Sequence, residues 1–199
     1  MVKKENIMKE WFDYILFYIY ILFIIVFKNL KSIYTLGLYR IFSVIMMSFS
    51  IIFFLYLIRK NNELKYISYK SFYIKKNFLV IYLFLIVVYI FIILKSNYLY
   101  PILYFPFSAF YEELIFKVYF YNSFKIRGYN KFLIYIFISI GFVLFHYSLN
   151  GFFVNNLVIL DIKRFLFQMV TLYIYDRTED IYLQIGIHSL YNFIIYFQL

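Results

Sequence analysis

Eighteen consecutive residues, Ile41–Ile58, read IFSVIMMSFSIIFFLYLI and contain no charged side chain. A helix needs about 20 such residues to cross the ~30 Å hydrocarbon core of a bilayer. In hydrocarbon every backbone N–H and C=O must find its partner within the protein, which leaves helices or closed barrels. A barrel strand alternates apolar and polar positions, whereas this run is continuous, so the expectation is helical. Comparable runs occupy Tyr14–Phe27, Phe78–Leu94, Pro106–Phe124 and Phe132–Leu149. Less regular stretches follow at Phe152–Leu160, Asp161–Tyr175 and Ile181–Leu199. Of 199 residues 65% are apolar, more than a soluble domain of this size could bury. The predicted fold is all-α: a polytopic transmembrane helical bundle of about 6–8 membrane helices. Residues 1–199 are read as a single membrane domain, with motif-free spans in 1–98 and the chemistry-bearing part in 99–199.

The formal charge of +10 does not call for a nucleic acid, because the basic residues flank apolar runs, where they face anionic lipid. Their distribution gives a topology. Lys3, Lys4, Lys9, Arg59, Lys60, Lys65, Lys70, Lys75, Lys76, Lys125, Arg127 and Lys131 fall in alternate loops, against Lys28, Lys31, Arg40 and Lys95 on the other side. The positive-inside rule then places the N-terminus in the cytoplasm of a multi-pass cell-membrane protein. The opening MVKKENIMKE looks like a signal-peptide n-region, but no small-residue cleavage site follows, so the first run reads as a retained helix. Cysteine is absent, which removes disulfides, thiolate metal sites and a cysteine nucleophile. Pro101 and Pro106 precede the fourth apolar run, and Pro106 is expected to start its helix, since proline suits a first turn.

Three clusters in the C-terminal half carry chemistry. In FYEELIFK, Glu113 and Lys117 are i and i+4 on a helix with the acid first, the favourable order for an ion pair. Glu112 points about 100° away with no expected helix partner, which leaves it for general-base work. The second cluster is Phe142–Val–Leu–Phe–His146. The third is His188–Ser–Leu–Tyr–Asn192, whose His188 and Asn192 share a helix face. Both histidines of the chain lie inside hydrophobic helices. Singly, each of these residues reads as a hydrogen bond between helices; together, ionisable groups at membrane depth are functional candidates. HExxH, a Gly-rich phosphate loop and a Ser–His–Asp arrangement are all missing.

The succession EExxxK, FxxxH, HxxxN on successive helices, over roughly Phe105 to Phe197, resembles the CAAX-protease and bacteriocin-processing (CPBP) family of intramembrane endopeptidases. The resemblance implies a CPBP-like catalytic core in 99–199. It implies that Glu112 and His146 hold and deprotonate the attacking water, and that His188 and Asn192 stabilise the oxyanion. Glu113 would orient the site with Lys117. The family usually carries Arg where this chain has Lys117, which supplies charge without a bidentate fork. Members commonly have about eight helices, so this short chain is expected to lack an edge helix. The reading favours water activation without a cofactor, although Glu112, His146 and His188 could ligate zinc with an open position. The expected partners are the lipid bilayer and a peptide or protein substrate at the membrane, with no nucleic acid. The wealth of Ile, Phe, Tyr, Lys and Asn points to an AT-rich, bacterial coding sequence and so to bacteriocin-type peptide processing or self-immunity. A non-catalytic immunity or scaffold protein on the same fold is the alternative.

Overall fold

The computed structural model describes residues 2–29, 36–73, 75, 83, 99–146 and 157–197. Every described element is helical: α1 (Val2–Asn29), α2 (Leu36–Lys60), α3 (Asn62–Ser71), α4 (Leu99–Glu113), a π-helical segment (Leu114–Tyr121), α5 (Asn122–Ile126), α6 (Lys131–His146), α7 (Leu157–Thr178) and α8 (Ile181–Phe197). Among the described residues Ser43–Lys60 of α2 is long and apolar enough to cross a membrane. Tyr14–Val26, Lys131–His146 and Ile181–Ile195 are shorter apolar helices. The expected run Phe78–Leu94 lies outside the described residues apart from Leu83.

Two expectations about helix boundaries need correction. Pro106 lies inside α4, which begins at Leu99 and so has Pro101 in its first turn. Pro106 lacks the N–H that an interior residue would donate to the carbonyl four residues back. A boundary was also expected at Asp161, yet α7 runs through it. Arg164, one turn on, donates to Asp161 Oδ1 at 3.2 Å, so the acid is answered within the helix.

The helices form two compact units, one of Met1–Met46 with Phe120–Tyr173, the other of Met47–Tyr119 with Ile174–Leu199. The first is organised by aromatic rings and one close helix approach. Phe17 of α1 meets Phe120 at 4.6 Å and Phe137 at 4.8 Å between ring centroids, and Tyr14 meets Phe124 at 4.8 Å. Phe17 also lies against Gly141 of α6, where an added Cβ would come within 2.6 Å of Phe17 Cε1. Only a residue without a side chain leaves room for that ring. Between α5 and α6, Gly128 takes φ +77° while its N–H bonds Lys125 O (3.1 Å) and the Tyr129 N–H bonds Phe124 O (3.4 Å). Those two bonds end α5 as a Schellman turn. Asn130 then caps α6, accepting the N–H of Phe132 at 2.9 Å.

In the second unit α4 runs along α8, with Phe105 and Phe193 edge to face at 5.0 Å. α7 ends at Glu179, whose N–H bonds Tyr175 O at 2.7 Å with φ +48°. Buried Asp180 then caps α8 by accepting the Leu183 N–H at 3.1 Å. This tight turn sets where α8 starts, and hence the register at which its polar face meets α4.

Candidate active site

The polar face of α4 and the following segment is built from two i, i+4 pairs. Ser108 lies one turn before Glu112, and Glu113 one turn before Lys117. The helix widens to π form directly after Glu113, a local irregularity common at functional sites. On α8 the matching face is Gln184 and His188, again one turn apart, with half-buried Asn192 one turn further on. Packing α4 against α8 brings the two faces together in the interior. Glu112, Glu113, Lys117, Gln184 and His188 are all buried, Lys117 and Gln184 completely.

His188 is the junction. Its Nδ1 is 2.8 Å from Glu113 Oε1. A carboxylate already paired with lysine can only accept, so Nδ1 carries the hydrogen and donates. Its Nε2 is turned towards Glu112 Oε2 at 3.6 Å, an approach just beyond a hydrogen bond. Lys117 Nζ pairs with Glu113 Oε2 and also donates to Gln184 Oε1 at 3.1 Å. Ser108 Oγ donates to Glu112 Oε1 at 2.9 Å. The polar chain therefore runs Gln184–Lys117–Glu113–His188–Glu112–Ser108, with Gln184 and His188 contributed by α8 and the other four by α4 and the segment that follows it.

Charge counting gives this chain its chemistry. Lys117 balances one of the two carboxylates. Burying a second carboxylate is costly unless polar groups face it, and the imidazole of His188 lies beside Glu112 at 3.6 Å. Glu112 and His188 thus lie side by side in the buried interior. That arrangement can accept a proton from water and return it to a leaving group.

The structure brings together four of the residues singled out in the sequence, Glu112, Glu113, Lys117 and His188. It corrects the reading of Glu112 as a residue without a helix partner, because Ser108, an uncharged residue one turn back, offers it a hydroxyl. Ser108 and Gln184 are the members that sequence reasoning missed. The signal was a polar side chain at i−4 from a glutamate and from a histidine, each on an otherwise apolar helix. Gln184 is oriented unambiguously, since the lysine is donor only and must face Oε1. Its buried Nε2 has no hydrogen-bond partner.

His146 belongs to the first unit, at the end of α6. Its Nδ1 lies 2.8 Å from the backbone oxygen of Phe142, one turn back. A carbonyl only accepts, so Nδ1 carries a proton and donates it. Phe142 and Phe145 hold the ring, with centroids at 4.5 and 5.3 Å. Among the described residues no three His, Asp or Glu side chains gather as a metal-holding group. In a comparison with known families, the model for type II CAAX prenyl endopeptidase Rce1-like proteins matches residues 78–194. No curated protein and no solved structure matches the chain.

Proposed function

The chain belongs to the Rce1-like family of type II CAAX prenyl endopeptidases, a family of membrane-embedded proteases, and from this we propose that it hydrolyses a peptide bond with water activated by Glu112. The observation that carries the reading is the buried juxtaposition of Glu112 with His188, reached only by packing α4 against α8. In this reaction Glu112 takes a proton from water as the hydroxyl oxygen bonds to the peptide carbonyl carbon. The carbonyl oxygen becomes an oxyanion, and N–H donors of His188 and Asn192 stabilise it. The C–N bond then breaks as the proton passes from Glu112 to the departing amine, completing the hydrolysis. Glu113, fixed by Lys117, holds the imidazole of His188 in one orientation. His146 enters on the family resemblance alone, as a second group that positions the water.

We further propose that the substrate is a bacteriocin-type or leader-bearing peptide in a bacterial cell membrane, processed in maturation or self-immunity, and that the chain crosses the membrane several times with its N-terminus in the cytoplasm. The chemistry needs no metal. Purified protein in proteoliposomes is to be given a prenylated CAAX peptide and an unprenylated hydrophobic leader peptide, each with and without a chelator. Cleavage of the leader peptide that withstands the chelator, and is lost in Glu112→Ala and His146→Ala, is the expected result. Full cleavage by either folded variant overturns the mechanism. Cleavage of the prenylated peptide alone overturns the substrate assignment, and loss to the chelator with recovery on zinc overturns the metal-free chemistry.

One observation favours a second reading. Both nitrogens of His188 face carboxylates, which also describes a polar clasp between two helices. A non-catalytic immunity or scaffold protein would then protect cells equally well as wild type and as Glu112→Ala.

A further inference from the structure

Helix α3 has two unlike faces. Leu64, Ser68 and Ser71 are buried at the i, i+4, i+7 spacing of a single helix face. The inner face is fixed to the rest of its unit by Ser71 Oγ, which shares a buried hydrogen bond of 2.8 Å with Tyr175 Oη. At its edge Lys70 Nζ lies 2.6 Å from Glu179 Oε2. On the opposite side Tyr66, Tyr69 and, just past the helix, Tyr73 are exposed by 76%, 68% and 68%. Three phenol rings in one row, none of them packed, suit the headgroup layer of a bilayer, where an amphipathic ring has its apolar body and its hydroxyl both satisfied.

The position of α3 in the chain agrees. It follows directly on the apolar span Ser43–Lys60, on which Phe49, Ile52 and Tyr56 are exposed at lipid-facing spacing. The span closes with Arg59 and Lys60, and Asn61 caps a new helix by accepting the N–H groups of Glu63 and Leu64 at 3.1 and 3.2 Å. The chain therefore ends one helix and begins another where hydrocarbon would give way to headgroups. Over residues 59–71 the basic side chains are Arg59, Lys60, Lys65 and Lys70, and the one acid is Glu63. Lys70 is turned towards Glu179, which leaves Arg59, Lys60 and Lys65 to face outward.

We propose that α3 is an interfacial helix whose Tyr66–Tyr69–Tyr73 face docks on an anionic phospholipid surface, with Arg59, Lys60 and Lys65 pairing with lipid phosphates. A bilayer fits this face better than a protein partner because the face is continuous with a lipid-suited span and carries an excess of positive charge that anionic headgroups neutralise. The inference goes beyond the protease reading and stands or falls separately from it.

The absence of cysteine makes the test direct. A nitroxide is attached to Tyr69→Cys or, independently, to Tyr66→Cys in the full chain, and its collision rates with oxygen and with a water-soluble nickel complex are measured. The protein is held in nanodiscs of phosphatidylcholine alone or with about one-third phosphatidylglycerol. With phosphatidylglycerol present the oxygen-to-nickel ratio is expected several-fold above that of the same label on free cysteine in buffer. It should be lower in phosphatidylcholine alone, and Lys60→Gln with Lys65→Gln should remove the difference between the two lipids. A ratio equal to the aqueous reference in both discs overturns the proposal, including the case in which a protein covers this face in native membranes. A ratio equally high in both lipids and in the double charge variant overturns the anionic component.

Discussion

Lys117 is fully buried, and the carboxylate of Glu113 is what makes an ammonium tolerable there, with Gln184 accepting a further hydrogen bond. The consequences of removing one partner are unequal. Lys117→Met would strand a buried carboxylate, and breaking such a pair from one side costs roughly 3–5 kcal/mol. A marked drop in melting temperature in detergent is expected. Adding Glu113→Gln should restore most of it, because the amide oxygen still accepts from His188 Nδ1 without carrying a charge. A double variant as unstable as Lys117→Met alone would mean that the lysine acts through packing of its stem. Gln184→Leu should be mild by the same reasoning. It removes an acceptor from Lys117, but it also removes an amide nitrogen that is buried without a partner, so the net change should stay within about 1 kcal/mol.

At the scale of elements, two junctions carry testable stress. Gly141 lets α6 approach α1 so closely that a methyl group there would overlap the Phe17 ring. Gly141→Ala should destabilise by about 1–3 kcal/mol, as overpacking does, and Phe17→Leu in the same chain should recover part of the loss. Thermal melts of the single and double variants in one detergent decide this. The other junction is the α7–α8 turn, where Glu179 holds φ +48° while its carboxylate pairs with Lys70. Glutamate beside Lys70 raises the lysine above its ordinary value of 10.5. A raised lysine contributes stability that is complete below its unfolded value and is lost as pH rises through the folded one. Wild type and Lys70→Met should therefore differ by a constant small amount at neutral pH and converge only in alkali above 10.5. Exposed pairs of this kind are worth at most about 1 kcal/mol, so a large gap at neutral pH would refute the assignment. Sequence pattern was a good guide to such elements where the apolar run was long, as in α2 and α8. It failed at Pro106 and Asp161 because both are locally unfavourable inside a helix, and the tertiary packing or a neighbouring side chain that offsets them leaves no mark in periodicity.

For the molecule as a whole, the question is whether the buried polar chain is a working site or a clasp. Its charged members were legible in the sequence, since acids and histidines within apolar runs stand out against their background. The connection between them was not, because nothing in the spacing says that α8 turns His188 towards both glutamates, or that a serine and a glutamine complete the chain. That connection separates the two readings through a pair of nearly isosteric changes. In Glu112→Gln the Ser108 hydroxyl still finds an amide oxygen, so the stability of the fold should change by no more than about 1 kcal/mol. The amide cannot take a proton, and loss of a general base should lower peptide hydrolysis by roughly 10²–10⁴-fold. Glu113→Gln removes the counter-charge of a completely buried lysine, so it should reduce stability and activity together. A site divides the two variants in this way, whereas a clasp makes both lose stability by comparable amounts and gives Glu112→Gln no separate effect on cleavage. Melting curves and turnover measured on the same preparations distinguish these patterns directly, and a Glu112→Gln protein that hydrolyses peptide at the wild-type rate would remove Glu112 from the chemistry.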